Sequence, residues 1–328
     1  MKHHFGDLLD RNADYWTIVP NRDRYAFRIG DVPSNSPEVT IVTIGKGDEN
    51  WKTVFTLPNL EELTLHEPTR EQLHAIGELT SVKRLRITHA RPKTIDFLRN
   101  MSQVEELVLE YVSGFSDLAP LGDLRRLRAL HVENLRRVSS FSGLSGIGSL
   151  KYLSICGTLD WKQPIDDFTF FDELQGLEVL SLWQIINKSP YPAMLPAMNL
   201  KGLKKLKLHR SYLATNEYAL LEVILKGVEG AIWGPYGTRA DSELELPDDD
   251  VRAQLPREVL EANHPEVRIY YDGKRVIDDP SSLWFEFTGK GAGRAKCSSA
   301  LAESKCKEFS EQFAEMKQRA ETIVTGCG

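Results

Sequence analysis

The feature that most constrains this fold is a set of four apolar residues that recurs seven times. Each set follows the spacing L-x-x-L-x-x-L-x-L, and successive sets begin 22, 22, 23, 23, 27 and 26 residues apart. The sets are Leu57-Leu60-Leu63-Leu65, Leu79-Val82-Leu85-Ile87, Met101-Val104-Leu107-Leu109, Leu124-Leu127-Leu130-Val132, Ile147-Leu150-Leu153-Ile155, Leu174-Leu177-Leu180-Leu182 and Leu200-Leu203-Leu206-Leu208. One unit cannot bury its own apolar face, whereas stacked units share a continuous core. The period therefore predicts a solenoid built from a short strand and a return arm per unit.

The stretch Phe115 to Leu124 (FSDLAPLGDL) extends the pattern into a return arm. With the period, it resembles the 22-residue class of leucine-rich repeats found in internalins and in protein-phosphatase regulatory subunits. The resemblance covers about residues 57–210 and implies an α/β solenoid with a curved parallel sheet on its concave face. It also implies an asparagine three residues after the last strand leucine. This chain departs from that pattern, so apolar packing is expected to replace an amide ladder in most repeats. The positions are Pro68, Ala90, Val112, Leu135, Thr158, Ile185 and Ser211.

Four segments are predicted around this period. Residues 1–50 are expected to form an N-terminal β cap and a first strand, and residues 51–235 the solenoid. Residues 236–282 are expected to form a degenerate terminal repeat and an acidic loop, and residues 283–328 a strand, a glycine loop and an amphipathic helix. Caps are expected because the end units of a solenoid would otherwise leave its core open.

Turn and strand signals place elements in the N-terminal segment. The β-rich runs 15–19 and 25–29 flank Pro20 to Asp23, which predicts a hairpin. The run 39–44 (VTIVTI) predicts the first strand of the sheet.

Beyond Leu208 the period weakens. Two helical runs that each lead to an apolar stretch predict degenerate final repeats: 217–226 with 231–233, and 257–262 with 267–271. The acidic run 241–250 (DSELELPDDD) predicts a solvated loop. Asp272-Gly273 predicts a tight hairpin turn, because glycine supplies the positive φ that such turns require.

The tail predicts a strand, a glycine loop and a long helix at 283–287, 288–294 and 298–324. Ser298 or Ser299 is the expected N-cap, and Gly326 the expected stop. Steps of four and three place an apolar stripe on one face of the helix, at Ala302, Cys306, Phe309, Phe313, Met316, Ala320 and Ile323. The stripe predicts packing onto the end of the solenoid as a cap, or against a second copy or a partner helix.

The glycine loop has two interpretations. A strand, a glycine loop and a helix N-terminus can together bind an anion, which would use Lys290, Arg294 and Lys296 and make the protein a ligand- or phosphate-responsive regulator. The alternative is a flexible link into the last helix. The sequence lacks both nucleotide fingerprints, because Lys290 precedes Gly291, Lys296 precedes Cys297, and Arg294 stands where a third glycine belongs.

The strand residues between the leucines are expected to point outward onto the concave face. Glu62, Arg84 and Glu106 fall on neighbouring strands and should neutralise one another. Farther along, aromatic and basic residues predict a protein-binding surface: His131, Tyr152, Trp183, Lys205, Lys207, His209 and Arg210. The alternative is that the return arms or the termini cover this patch.

The sequence contains no recognisable catalytic constellation. It has no G-x-S-x-G and no H-E-x-x-H, and no cysteine is followed by an aspartate two positions on. His66, His131 and His209 belong to different repeats, so a shared metal site is not expected. The prediction is a non-catalytic adaptor or scaffold that uses no cofactor and no metal.

Composition limits the partners and the compartment. With 41 basic and 47 acidic residues the net charge is -6, which opposes nucleic-acid binding. The charged start MKHHFGDLLD lacks the apolar run of a signal peptide, and no stretch is long and apolar enough to span a membrane. Four scattered cysteines indicate neither a disulfide framework nor a zinc site. We therefore expect a cytoplasmic, bacterial protein that binds other proteins. Delivery by a route without a signal peptide, as for an injected effector, stays open.

Overall fold

The computed structural model describes residues 2–3, 7–12, 15–20, 26–270 and 272–327. Its strands are β1 Lys2–His3, β2 Asp7–Asn12, β3 Tyr15–Pro20, β4 Ala26–Arg28, β5 Ile41–Gly45, β6 Glu62–His66, β7 Arg84–Thr88, β8 Glu106–Glu110, β9 Ala129–Glu133, β10 Tyr152–Cys156, β11 Gln163–Ile165, β12 Val179–Trp183, β13 Ile185–Asn187, β14 Lys205–Leu208, β15 Tyr236–Ala240, β16 Glu243–Glu245, β17 Arg268–Ile269, β18 Arg275–Asp278, β19 Leu283–Phe287 and β20 Arg294–Lys296. Its α-helices are α1 Arg70–Ala75, α2 Thr215–Ile224, α3 Arg257–Asn263 and α4 Ala302–Cys327.

One ten-stranded sheet, in the order β1-β4-β5-β6-β7-β8-β9-β10-β12-β14, forms the centre of the molecule. Strand β1 pairs antiparallel with β4, and from β4 to β14 every neighbouring pair is parallel. The seven repeats each supply one of these strands, and the run 39–44 supplies β5. The α/β leucine-rich-repeat solenoid predicted from the period is confirmed.

The register keeps equivalent leucines side by side. Leu107 lies opposite Leu130, and Leu130 opposite Leu153, along the inner face of the sheet. These three side chains are fully buried. Burying one such side chain contributes about 1.5–3 kcal/mol to the stability of the fold. The equivalent leucines of all the repeats together therefore stabilise the stack.

Most return arms are single 3-10 turns, because units of 22 or 23 residues leave little room for a longer helix. The 3-10 segments are Ile29–Asp31, Trp51–Thr56, Ile76–Glu78, Asp96–Asn100, Ala119–Asp123, Ser142–Leu144, Thr169–Glu173, Leu195–Asn199, Val251–Gln254 and Pro280–Ser282. The arms add buried residues such as Leu98, Leu121 and Leu144 to the core. In two longer repeats, the extra residues form the parallel pair β11 and β13.

Apolar residues occupy the turn where the repeat family places asparagine. Ala90, Val112, Leu135 and Ile185 are each at most 2% exposed, so the predicted apolar packing is confirmed at these four positions. Part of the missing amide function comes from a position that the period does not indicate: the buried Gln163 bonds to the backbone of the preceding repeat.

The predicted N-terminal hairpin is wrong in its pairing. Strand β3 pairs with β2, whereas β4 pairs with β1 and with β5. The turn residues 21–25 lie outside the described residues.

Both predicted helical runs form helices, α2 and α3, but the first degenerate repeat is confirmed only in part and the second is wrong. In the first, residues 231–233 form no strand; instead, Glu229 makes a single parallel bridge to Lys205 of β14, with backbone hydrogen bonds to Leu206 and Lys204. Strand β17, in the second predicted repeat, pairs antiparallel with β18, and β18 pairs with β16 from the acidic run. The turn at Gly273, with φ of +87°, joins β17 to β18 as predicted.

The tail differs from its prediction after the first strand. Strand β19 forms as expected, but the glycine loop leads into a further strand, β20, and β15, β19 and β20 make one antiparallel sheet. Helix α4 begins at Ala302 rather than at residue 298, so neither Ser298 nor Ser299 is its N-cap, and it continues through Gly326.

The apolar stripe of α4 is buried within the chain. Phe313 and Ala320 join the main core, with Phe309 and Met316 packed against it, and Cys306 packs with Phe287 of β19. Helix α4 lies along α2 at the end of the solenoid. None of the helices in the described residues combines the length and the apolar character that a membrane crossing requires.

Candidate protein-binding surface

The concave face is built from the strand residues that alternate with the core leucines. Parallel in-register pairing places Arg84 between Glu62 and Glu106, and Tyr152 between Ala129 and Val179. The lateral columns predicted from the repeat therefore exist. A partner lying across the strands would meet one residue from each repeat.

The N-terminal part of this face satisfies its own charges, as predicted. One guanidinium nitrogen of Arg84 (Nη1) lies 2.6 Å from a carboxylate oxygen of Glu62, and another (Nε) lies 3.0 Å from one of Glu106. Both glutamates are buried, with 5% and 3% of their surface exposed. Removing Arg84 would leave buried charge without this compensation, so we assign these residues a structural role.

The middle of the concave face is apolar and buried. Val108, Ala129, Tyr152 and Val179 form a cluster that is separate from the main core, and we call it the covered strip. Tyr152 is 1% exposed, and burial raises the pKa of its hydroxyl. His131 in the next column is also buried, and its Nδ1 lies 3.0 Å from Ser154 Oγ. Two of the predicted contact residues are therefore inaccessible in this conformation.

Beyond the covered strip the concave face opens to solvent. Trp183 at the end of β12 is 48% exposed. Its ring makes edge contacts with His209 and Tyr212, at centroid distances of 6.1 and 5.7 Å. Together with Ser181 and Lys207, these residues form what we call the open end. All of them except Tyr212, which is only 6% exposed, border a recess of about 470 Å³, whose other wall includes Tyr152 and Cys156.

The predicted basic residues divide into two groups. Lys207 is exposed and makes no ion pair with any residue that the structure describes. Lys205 instead lies 2.6 Å from Glu229, and Arg210 donates to the backbone oxygen of Glu286 and to the Thr288 hydroxyl. Lys207 is thus the predicted cation whose charge faces solvent, whereas the other two hold the end of the solenoid together.

His209 is half-buried in the open end. Its Nδ1 lies 2.9 Å from the Ser211 hydroxyl. Burial is the main cause that lowers its pKa; the charge of Glu286 acts against this shift, and the charges of Arg239 and Arg210 act with it. At neutral pH the imidazole is therefore uncharged and can pack against the ring of Trp183.

The repeat period does not indicate Tyr212, which completes the aromatic group. Tyr212 follows the last strand of the repeat array by four positions, outside the columns that the period defines. Its ring centroid is 5.3 Å from that of His209. An aromatic residue soon after a strand end is the available signal, but only the turn at 209–212 brings its ring against those of Trp183 and His209.

An acidic group with one histidine lies at the carboxyl ends of β8 and β9. Ligand-type atoms of Glu110, His131 and Glu133 all lie within 4.8 Å of one another. The guanidinium of Arg86 bonds to Glu110 at 2.5 and 2.9 Å. A hydrogen bond with His131 is the main cause that lowers the pKa of Glu133. Because Arg86 already supplies a positive charge here, the group is held together by internal ion pairing.

The glycine loop lacks the geometry of the predicted anion site, because no helix follows it directly. Lys290, Arg294 and Lys296 lie on a hairpin instead. Arg294 bonds to both carboxylate oxygens of Asp241, at 2.7 and 2.9 Å, and lies 4.1 Å from the ring centre of Trp284.

The alternative interpretation as a flexible link is also wrong. The amide of Gly289 donates to Arg210 O and that of Lys290 to Leu213 O, which anchors the loop before α2. Gly289 has φ of +131°, and a Cβ atom there would overlap with Thr215 Oγ1. The glycine is therefore required by close packing.

Comparison with known proteins gives structural matches only. No family model matches the chain, and no curated protein matches it. Internalin C2 of Listeria monocytogenes is similar over 53% of this chain and 79% of its own, with 18% identity and a TM-score of 0.32. An internalin, inlF, of the same organism covers 51% and 65%, with 17% identity and a TM-score of 0.29. A leucine-rich-repeat protein of Leptospira interrogans covers 56% of this chain and 50% of its own, with 16% identity and a TM-score of 0.34. These likenesses concern the fold and say nothing about what this chain binds.

Proposed function

We propose that this protein is a non-catalytic adaptor that binds another protein at the open end of its concave face. The proposal rests on one observation: Trp183 is exposed beside His209 and Tyr212. A large aromatic side chain left 48% exposed on a sheet whose middle is buried offers substantial apolar area to a partner. Tryptophan and tyrosine are also enriched among the residues that dominate interface energies.

The charges of the open end suggest the chemistry of the partner. Lys207 projects next to the aromatic group and is not paired with a described acidic residue. A partner segment that presents an apolar or aromatic side chain to Trp183 and a carboxylate to Lys207 would complement both. The recess of about 470 Å³ between Tyr152 and Trp183 can hold one large side chain.

Quantitative affinity capture from native lysate tests the proposal. The full chain, Trp183→Ala and Phe55→Ala would be compared as baits. Phe55 is a matched control because it is an exposed aromatic residue, at 37%, on a return arm away from the concave face. We expect a partner that is retained by the unaltered chain and by Phe55→Ala but lost with Trp183→Ala. Partners retained equally by all three baits would exclude the open end as the binding surface.

A further inference from the structure

The covered strip is buried although it lies on the outer side of the sheet. Val108, Ala129, Tyr152 and Val179 belong to the columns that point away from the leucine core, and each is at most 3% exposed. On the same face, Ser181 and Trp183 are accessible. A local cover, rather than the curvature of the sheet, therefore accounts for the burial.

The cover is the antiparallel pair β2 and β3 near the start of the chain. Strand β2 lies against β8 and β9, and β3 lies against β10. These are the strands that carry Val108, Ala129 and Tyr152. The pair therefore lies over the middle of the concave face.

The pair β2 and β3 contacts the solenoid through its face and not through a shared ladder of hydrogen bonds. Among the described residues, β2 and β3 form their own two-stranded sheet, and neither pairs by backbone hydrogen bonds with the ten-stranded sheet. An isolated two-stranded hairpin is marginally stable in water, so its position depends on the apolar strip beneath it. Lifting it from the strip would break no ladder of the solenoid.

We infer that β2 and β3 form a detachable internal cover of the strip, which opens while the solenoid beneath it stays folded. Opening would expose Tyr152 and His131, and both would then extend the surface of the open end; this last step rests on the proposed function.

Cys156 is the reporter for opening of the cover. It lies at the end of β10, the strand that β3 contacts, and is 9% exposed. Burial raises the pKa of its thiol to about 11 from a reference of 9.0. Because the thiolate is the reactive form, uncovering the strip should raise both the access of a reagent and the thiolate fraction. The thiolate fraction would increase by up to about 100-fold if the pKa of the thiol returned to 9.0.

The experiment is limited labelling with N-ethylmaleimide on the full chain, read by mass spectrometry at each cysteine. Leu9→Pro and Ile18→Pro, at paired positions of β2 and β3, remove ladder bonds from the hairpin. Leu244→Pro, in the short edge strand β16 of another sheet, is the matched control. We expect at least tenfold faster labelling of Cys156 in the two hairpin variants and no change in the control, with Cys306 constant throughout. Equal labelling of Cys156 in all four chains would overturn the inference.

A second measurement covers the case in which the proline variants unfold. In the unaltered chain, labelling of Cys156 should accelerate at urea concentrations below the cooperative unfolding transition, because the hairpin opens locally. Acceleration only within that transition would overturn the inference. Neither readout needs a partner, so the internal cover can be excluded while the Trp183 site stands, and the reverse also holds.

Discussion

Gln163 connects two repeats from a fully buried position. Its side-chain nitrogen donates to Val138 O at 2.7 Å, and its oxygen accepts from Leu135 N at 3.1 Å. Both backbone groups belong to the turn where the repeat family uses asparagine. The amide therefore satisfies polar groups that water cannot reach.

Replacing Gln163 by alanine should reduce the free energy of unfolding by about 1–3 kcal/mol for each backbone group left unsatisfied. Urea denaturation followed by circular dichroism measures this loss. Gln175→Ala, at an exposed position in the next return arm, is the control and should change stability little. A loss no larger than that of the control would contradict the role given to Gln163.

His209 should make part of the stability depend on pH. Its pKa in the folded chain is below the ordinary value of 6.5, so between these two values the folded chain binds fewer protons than the unfolded chain. Its contribution is therefore present above pH 6.5 and lost as pH falls through the folded-state pKa. Unfolding free energies of the unaltered chain and of His209→Gln at several pH values measure this contribution. Their difference should shrink on acidification, and a constant difference would contradict the assignment.

The repeat period predicts which side chains face the concave surface, but it does not predict which of them are accessible to solvent. Trp183 and Lys207 are exposed there, whereas Tyr152 and His131 lie in the expected columns and are buried. Column position follows from the alternation of a strand. The cover over Tyr152 comes from a distant segment that has no relation to the period.

At the scale of elements, helix α4 is held by its stripe and by one charged contact. Phe313 is 3% exposed and belongs to the main core. Lys317 lies 2.9 Å from the buried carboxylate of Glu222 on α2. Glu222 also accepts from the amides of Trp233 and Gly234, so it joins α4 to the segment that follows α2.

Phe313→Ala should destabilise the chain by about 3–5 kcal/mol, because it leaves a cavity between α4 and the solenoid. Thermal and urea unfolding measure the change. Gln312→Ala, on the exposed face of the same helix, should be close to neutral. Similar small effects of both substitutions would show that α4 contributes little to the end of the core.

The accuracy of the predicted elements falls where the repeats end. The strands of all seven repeats were predicted because apolar spacing fixes both their phase and their partners. Strands β15 and β16 pair antiparallel with β19 and β18, which lie far along the chain, and no repeated spacing identifies such partners. The predictions for the glycine loop are wrong because β20, the strand that follows it, is only three residues long and has no clear sequence signal.

For the whole molecule, the predicted boundary at 282/283 divides a single sheet, because β15 from one side pairs with β19 from the other.

The predicted dimer helix, α4, has its apolar stripe covered by α2. We therefore expect a monomer in solution. Light scattering after size-exclusion chromatography measures this, and a dimer that dissociates with Phe313→Ala would contradict it. A chain ending at Pro280 should be markedly less stable, because β15 loses its partner and the core loses α4.

We propose above all that the solenoid binds a protein through the open end of its concave face. The most direct measurement is the dissociation constant of the captured partner for the unaltered chain, Trp183→Ala and Phe55→Ala, by isothermal titration calorimetry. The claim predicts about 30-fold weaker binding or more for Trp183→Ala, corresponding to about 2 kcal/mol, and binding within about twofold for Phe55→Ala. Equal dissociation constants for all three chains would contradict it.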